Sequence, residues 1–263
     1  MKKKWILVLL IFVLVLSLTA CSPKATDKLS EIKDKGKMVA GLSADYPPFE
    51  YVDANGNLAG FDVDLVNEIA RRMGVEVEFV DMPFDSLIAA VQEGKIDASI
   101  AAFNYDPERD ESVDFTDAYY TTEDSFTVLE GFSGDLSDPM SLANYIVGAQ
   151  SGTVQDGWIT DNLVTPGLLP EDNYFRYERV DQAALDLQAG RIEVLMADYV
   201  PAQAVVNQFG GMTIVYKGVL STGPLNIVVP EGDTSLQEEF NRVLKELQDE
   251  GFVAQLAVKY FSE

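Results

Sequence analysis

Arg109 follows Asp106-Pro107, a pair that reads as a helix start with Pro107 at the first helical position. A guanidinium held near a helix N-terminus, where backbone N–H groups are unpaired, is suited to clamp a carboxylate. Taken alone, Arg109 equally suits an ordinary surface pair with Asp110, Glu111 or Asp114. Asp198 ends the apolar run that starts at Val194. A carboxylate there can hold an ammonium, or cap a helix beginning at Tyr199. A fixed cation and a fixed anion facing each other across a cleft would suit a zwitterion.

The stretches that must position these two residues share a plan. Asp85 reads as the N-cap of a short helix with apolar face Leu87, Ile88 and Val91, and Gly94 as its C-terminal stop. Ile96, Ala98 and Ile100 alternate, and Ala98 to Phe103 suits a buried strand. Asp181 to Gly190 repeats the spacing, and Gly190-Arg-Ile-Glu matches Gly94-Lys-Ile-Asp type for type. Two similarly built α/β lobes follow from this weak repeat. In open α/β sheets ligands sit outside the carboxyl ends of the strands, which is where Asp198 falls.

The chain of 263 residues is long enough for one large or two ordinary domains. With 19 Lys and Arg against 43 Asp and Glu, its formal net charge is −24, which excludes a nucleic-acid partner. It has no histidine. That removes the commonest general base, the Ser-His-Asp triad and most zinc sites, and no metal or cofactor is expected.

Met1 to Ala20 has a basic start at Lys2, Lys3 and Lys4 and an apolar run from Trp5 to Leu16, too short for a membrane span and suited to a signal peptide. Leu18-Thr-Ala-Cys21 resembles a bacterial lipobox, which implies cleavage before Cys21 and lipidation of the only cysteine. Residues 21–30 are then the lipidated end and a tether.

Lys37 to Gly41 reads as the first strand. Leu42 to Tyr51, with two prolines, reads as an irregular loop offering Tyr46 and Phe49. Asn55-Gly56 marks a hairpin turn. An amphipathic helix follows with Val63, Val66, Ile69, Ala70 and Met73 on one face. Asp62 and Asp64 in its first turn need no function beyond the helix dipole. Further strands are expected at Val75 to Val80, Tyr145 to Ala149, Asn173 to Val180, Met212 to Tyr216 and Leu225 to Val229. Gln150-Ser-Gly-Thr-Val-Gln-Asp156 is a small-residue loop entering a helix, and it lacks the Gly-Lys-Ser of a phosphate loop. Helices carrying Leu236, Phe240, Val243, Leu244 and Leu247, then Phe252 to Phe261, close the chain.

Gly60-Phe-Asp-Val-Asp-Leu-Val-Asn-Glu-Ile-Ala70, Tyr46-Pro-Pro-Phe49, Phe84-Asp-Ser-Leu87, Pro107 to Asp117 and Ser151-Gly-Thr153 resemble the polar amino-acid-binding proteins of bacterial ABC importers, solute-binding protein family 3. The resemblance implies the two-lobe α/β periplasmic-binding-protein fold, type II, with two hinge crossovers. Lobe 1 would comprise 31–118 and 227–263, lobe 2 124–221, and the hinge 119–123 and 222–226. It implies that Arg109 takes a ligand carboxylate with N–H groups near Asn104 and Thr153. Asp198 and the Ala102 carbonyl would take the ammonium, and Tyr46 and Phe84 would sandwich the side chain, with Ser43 and Gln150 completing the site.

Ser43 stands where several members for basic or amide side chains have Asp, which weakens the case for a cationic ligand; Asp45, Glu50 or Asp156 would be replacement acids. Asn104 replaces a usual Ser or Thr. The implied partners are a free amino acid, an ABC permease and, through the anchor, the outer face of the membrane, with the chain a monomer. A cyclohexadienyl-dehydratase-like enzyme and a sensor module are the alternatives on this fold.

Overall fold

The computed structural model describes residues 27–261; the signal segment and Cys21 lie outside them. Two mixed sheets, each flanked by its own helices, form two lobes. The first sheet contains β1 (Lys37–Leu42), β5 (Glu76–Asp81), β6 (Ala98–Asn104), β7 (Val113–Phe115), β8 (Tyr120–Thr121) and β14 (Pro224–Pro230). Its order is β5-β1-β6-β14-β7, with β8 also on β14. The second contains β9 (Asp124–Leu129), β10 (Val147–Gln150), β11 (Tyr174–Tyr177), β12 (Val194–Asp198) and β13 (Met212–Gly218), in the order β11-β10-β12-β9-β13.

The repeat read in the sequence is thus a repeat of topology. In each lobe three parallel strands run in the order second-first-third, and an antiparallel strand from the far side of the hinge closes the set. The two segments that connect the lobes are paired, with Tyr120 and Thr121 opposite Leu225 and Pro224.

Helix α2 (Phe61–Met73) buries Phe61, Val63, Leu65, Val66, Ile69, Ala70 and Met73 in the lobe 1 core. Its entry depends on Gly60, whose φ is 133° and where a Cβ would stand 2.1 Å from the Phe49 carbonyl oxygen. Helix α7 (Thr234–Asp249) contributes Leu236, Phe240, Val243, Leu244 and Leu247 to the same core, and α8 (Phe252–Phe261) brings Phe261 against Phe49 and Phe61. The other face of the sheet packs around Phe84, Leu87, Val91 and Phe103.

Several local expectations are corrected. The tether ends early, because α1 (Lys28–Lys35) buries Ile32 in the lobe 1 core. The Leu42 to Tyr51 loop is regular: β2 (Asp45–Tyr46) and β3 (Glu50–Val52) pair as a tight hairpin, and β4 (Leu58–Ala59) extends it. The two prolines sit in the turn, where no ladder N–H is needed. Phe49 is fully buried rather than offered.

Asp85 does not cap α3 (Leu87–Gln92), since Phe84–Ser86 forms a 3₁₀ turn ahead of that helix. Asp106 does accept the N–H groups of Glu108 and Arg109, at 2.7 and 3.1 Å, but only a 3₁₀ turn, Arg109–Glu111, follows. Strand β7 begins two residues later and leaves no room for a helix. Asp181 lies inside the first turn of α5 (Val180–Gln188) and is not its cap.

Candidate functional site

The carboxyl ends of the two central strands in each sheet face one another across the cleft. Leu42 and Asn104 end β1 and β6; Gln150 and Asp198 end β10 and β12. A cavity there is lined from lobe 1 by Ser43, Tyr46, Glu50, Phe84, Ala101, Ala102 and Asn104. Lobe 2 contributes Gln150, Thr153, Gln155 and Asp198. This is the crevice that the topology makes available to a ligand.

Asp198 is buried and is the residue before α6 (Tyr199–Phe209), yet its side chain does not cap that helix. It turns into the cleft instead. The Tyr46 hydroxyl donates to its Oδ2 at 2.9 Å, and Gln155 Nε2 lies 3.3 Å from Oδ1. Burial, then the charge of Asp124, pushes its pKa up to about 8, against the opposing effect of those two hydrogen bonds. A buried carboxylate so poorly compensated is an acceptor for an incoming cation.

Arg109 sits at the rim. Its guanidinium donates to the Gly152 carbonyl at 2.6 Å, across the lobes, and to the Asn104 carbonyl at 3.4 Å. It lies 5.7 Å from the Phe84 ring centroid and 5.8 Å from that of Phe103. Burial lowers its pKa below the usual value. The surface pairing with Asp110 is not formed; Asp110 accepts the Tyr105 hydroxyl. Where Arg109 meets lobe 2 the backbone is close, since a Cβ on Gly152 would stand 2.9 Å from that of Asp85.

The polar lining is tied to the scaffold. Ser43 donates to Asp45 Oδ1 at 2.6 Å, and Gln150 Nε2 reaches Asp45 Oδ2 at 3.3 Å. Asn104 spends its amide on the Thr222 carbonyl, in the segment leading back to lobe 1, 2.9 Å away. Thr153 N-caps α4 (Val154–Ile159), its hydroxyl taking the Asp156 N–H. Phe84 stacks on Phe103 at 4.5 Å, and Tyr46 lies 6.5 Å from Phe49.

Of the residues expected from the sequence, Ser43, Tyr46, Phe84, Ala102, Asn104, Gln150, Thr153 and Asp198 line the cavity, while Arg109 borders it. Among the three replacement acids only Glu50 lines it. Asp45 stands behind Ser43, and Asp156 is engaged by Tyr174 and Arg176 on lobe 2. Gln155 was not foreseen; a polar residue among the buried positions of a short helix was its only signal. Glu50 is fully buried, and neither carboxylate oxygen meets a protein donor. Among the described residues no cluster of His, Cys, Asp and Glu suits a metal ion.

The family model of the bacterial extracellular solute-binding proteins, family 3, matches residues 38–263. The arginine-binding extracellular protein ArtP of Bacillus subtilis is 29% identical over 263 residues, covering 99% of this chain and 98% of the relative. The L-arginine-binding protein of Pseudomonas aeruginosa is 35% identical over 236 residues, covering 84% and 86%. A crystal structure of a mutant of ArgBP from T. maritima superposes with a TM-score of 0.82 at 37% identity, covering 90% of this chain and all of the other.

Proposed function

The chain belongs to the bacterial extracellular solute-binding proteins of family 3, and we propose that it captures an amino acid with a cationic side chain, arginine foremost, for delivery to an ABC importer. It is a binding protein rather than an enzyme. The observation that carries the ligand class is Glu50, an unpartnered buried carboxylate lining the cavity alongside Asp198. The acid missing at Ser43 is supplied from the next hairpin strand. Two relatives named as arginine-binding support the same class.

In this reading Arg109 turns its guanidinium to the ligand carboxylate, and the backbone around Asn104 and Thr153 assists. Asp198 and the Ala102 carbonyl take the α-ammonium. The side chain runs between Tyr46 and Phe84, whose ring faces favour an aliphatic stem with a charged end. Its cation reaches Glu50. Segments 119–123 and 222–226 act as the hinge between lobes 31–118 with 227–263 and 124–221. The ligand favours closure through contacts with both lobes that only the closed form offers.

For the leader, Leu18-Thr-Ala-Cys21 supports cleavage before Cys21 and anchoring of a monomeric chain by lipid on the outer face of the membrane.

The test is calorimetric titration of protein unfolded and refolded to strip carried ligand. L-arginine, lysine, ornithine, histidine, glutamine and glutamate form the panel. Arginine is expected to bind tightest, at a 1:1 ratio. Tighter binding of glutamine or glutamate would overturn the cationic class.

A further inference from the structure

We propose that Glu50 and Asp62 share one proton while the cleft holds no cationic ligand, and release it to solvent when the ligand's side-chain cation meets Glu50. The inference rests on the cationic class proposed above and adds a coupling that the class does not require.

Asp62 is the second residue of α2, in the place where an acid usually faces water and complements the helix dipole. Here it is fully buried. Its Oδ2 accepts the Ala102 N–H at 2.8 Å and the Tyr119 hydroxyl at 2.9 Å. Its Oδ1 meets no donor, and the same holds for both oxygens of Glu50. The two residues are neighbours, since the Asp62 N–H donates to the Phe49 carbonyl at 2.9 Å and a Cβ on Gly60 would stand 3.0 Å from the Glu50 Cα, and each carboxyl acts on the other. Two facing oxygens can bond only if one carries a hydrogen, so a single proton completes the arrangement and two negative charges would break it.

Among the described residues no cation is a leading influence on Glu50; the nearby Arg179 faces Asp45, at 3.6 Å, and Asp81. The groups acting on Glu50 are Asp45 from β2, Asp62 from α2 and Asp198 from the opposite lobe, all acidic. Tyr46 and Tyr119, the neighbouring phenols, are themselves held neutral by burial. The N-terminus of α2 and the bonds from Ala102 and Tyr119 favour negative charge, and they favour it on Asp62. The pair therefore titrates as a unit. Burial raises Asp62 to about 6, and burial together with the charges of Asp62 and Asp45 holds Glu50 well above the usual carboxylate range.

Asp62 also acts as a positioning residue. Ala102 has φ 46°, in the left-handed region that non-glycine residues rarely occupy. The Asp62 carboxylate fixes its N–H there, on the strand whose residues line the cavity. Glu50 reads the ligand, and Asp62 holds the floor beside it and shares the proton.

A cation at Glu50 removes the reason for the proton to stay. Asp198 gives up a proton to the ligand ammonium in any variant, so the shared proton is read as a difference: close to one more proton released per arginine at neutral pH in wild type than in Asp62→Asn. The probe is calorimetric titration with L-arginine in buffers of equal pH and different ionisation enthalpy. Asp62→Asn keeps an acceptor for the Ala102 N–H and offers Glu50 an amide donor, so its proton count should fall by close to one while arginine still binds. The infrared band of protonated carboxylic acid gives a second readout: its loss on adding arginine should be greater in wild type than in Asp62→Asn. Arginine binding with the same proton release in both proteins, or with no change in that band in wild type, overturns the shared proton and leaves the ligand class standing. Failure of arginine, lysine and ornithine to bind overturns both.

Discussion

Oδ2 of Asp45, in the lobe 1 hairpin, accepts the backbone N–H of Val180, the first residue of α5 in lobe 2, at 2.6 Å. Arg179 is the N-cap of that helix and gives it no side-chain cap. The helix is capped from across the cleft, so its end is satisfied only when the lobes meet. Arg179 strengthens the join by reaching Asp81 of lobe 1 at 3.1 Å. Asp45→Ala should weaken ligand binding by roughly 10- to 100-fold, the scale of a lost hydrogen bond to a charged acceptor. Small-angle scattering should show the unliganded variant more open than wild type. A dissociation constant unchanged by the substitution would remove Asp45 from the closure energetics.

Arg109→Ala should cost about 100-fold or more in affinity, the scale of a lost buried charge pair. Arg109→Lys should recover little, because a point ammonium cannot reproduce a fork reaching the Gly152 carbonyl and the ligand together. Calorimetry on both variants checks this, and affinity within a few-fold of wild type refutes the carboxylate role.

Glu50→Gln keeps the shape of the side chain and removes its charge. Arginine affinity should fall by about 100-fold, the scale of a truncated buried charge pair, while any glutamine affinity should hold or rise. Competition between the two ligands on wild type and variant reads the change directly. An unaltered preference would mean that Glu50 does not meet the side chain.

Rising pH should open the unliganded cleft. The closed form raises Asp198 to about 8 from an ordinary value near 3.8, so between those limits it binds a proton that an open, solvated form does not. Closure is therefore favoured below about pH 4, loses ground through the window above it, and is most disfavoured above about pH 8. The radius of gyration of unliganded protein should increase from about pH 6 to about pH 9. Bound ligand, whose ammonium compensates Asp198, should abolish the trend. A constant radius would mean that the Tyr46 and Gln155 bonds suffice to hold the charge.

The lobes, the strand repeat and the placing of Asp198 at a strand end were legible because hydrophobic periodicity and Gly stops are local signals. Glu50 was harder to read. It follows two prolines in a stretch that resembles a loop, and it reaches the cavity only because β2 and β3 fold back on each other and Gly60 lets the chain pass against Phe49. Asp62 misled for a similar reason. Acids belong at helix starts, and nothing in α2 itself shows that its N-terminus is pressed against the Ala102 backbone. The Asp106 signal was real as a turn and failed as a helix, because the next strand begins too soon.

Gly152 lies so close to Asp85 that the closed cleft has no clearance at this point. Its φ of 74° already disfavours any other residue there, and an added methyl would act as a doorstop between the lobes. A Gly152→Ala protein would keep every ligand-contacting side chain and still be unable to shut. Recognition of the ligand and completion of the grip would thereby become separable events, with a bare backbone edge setting how far the grip can go.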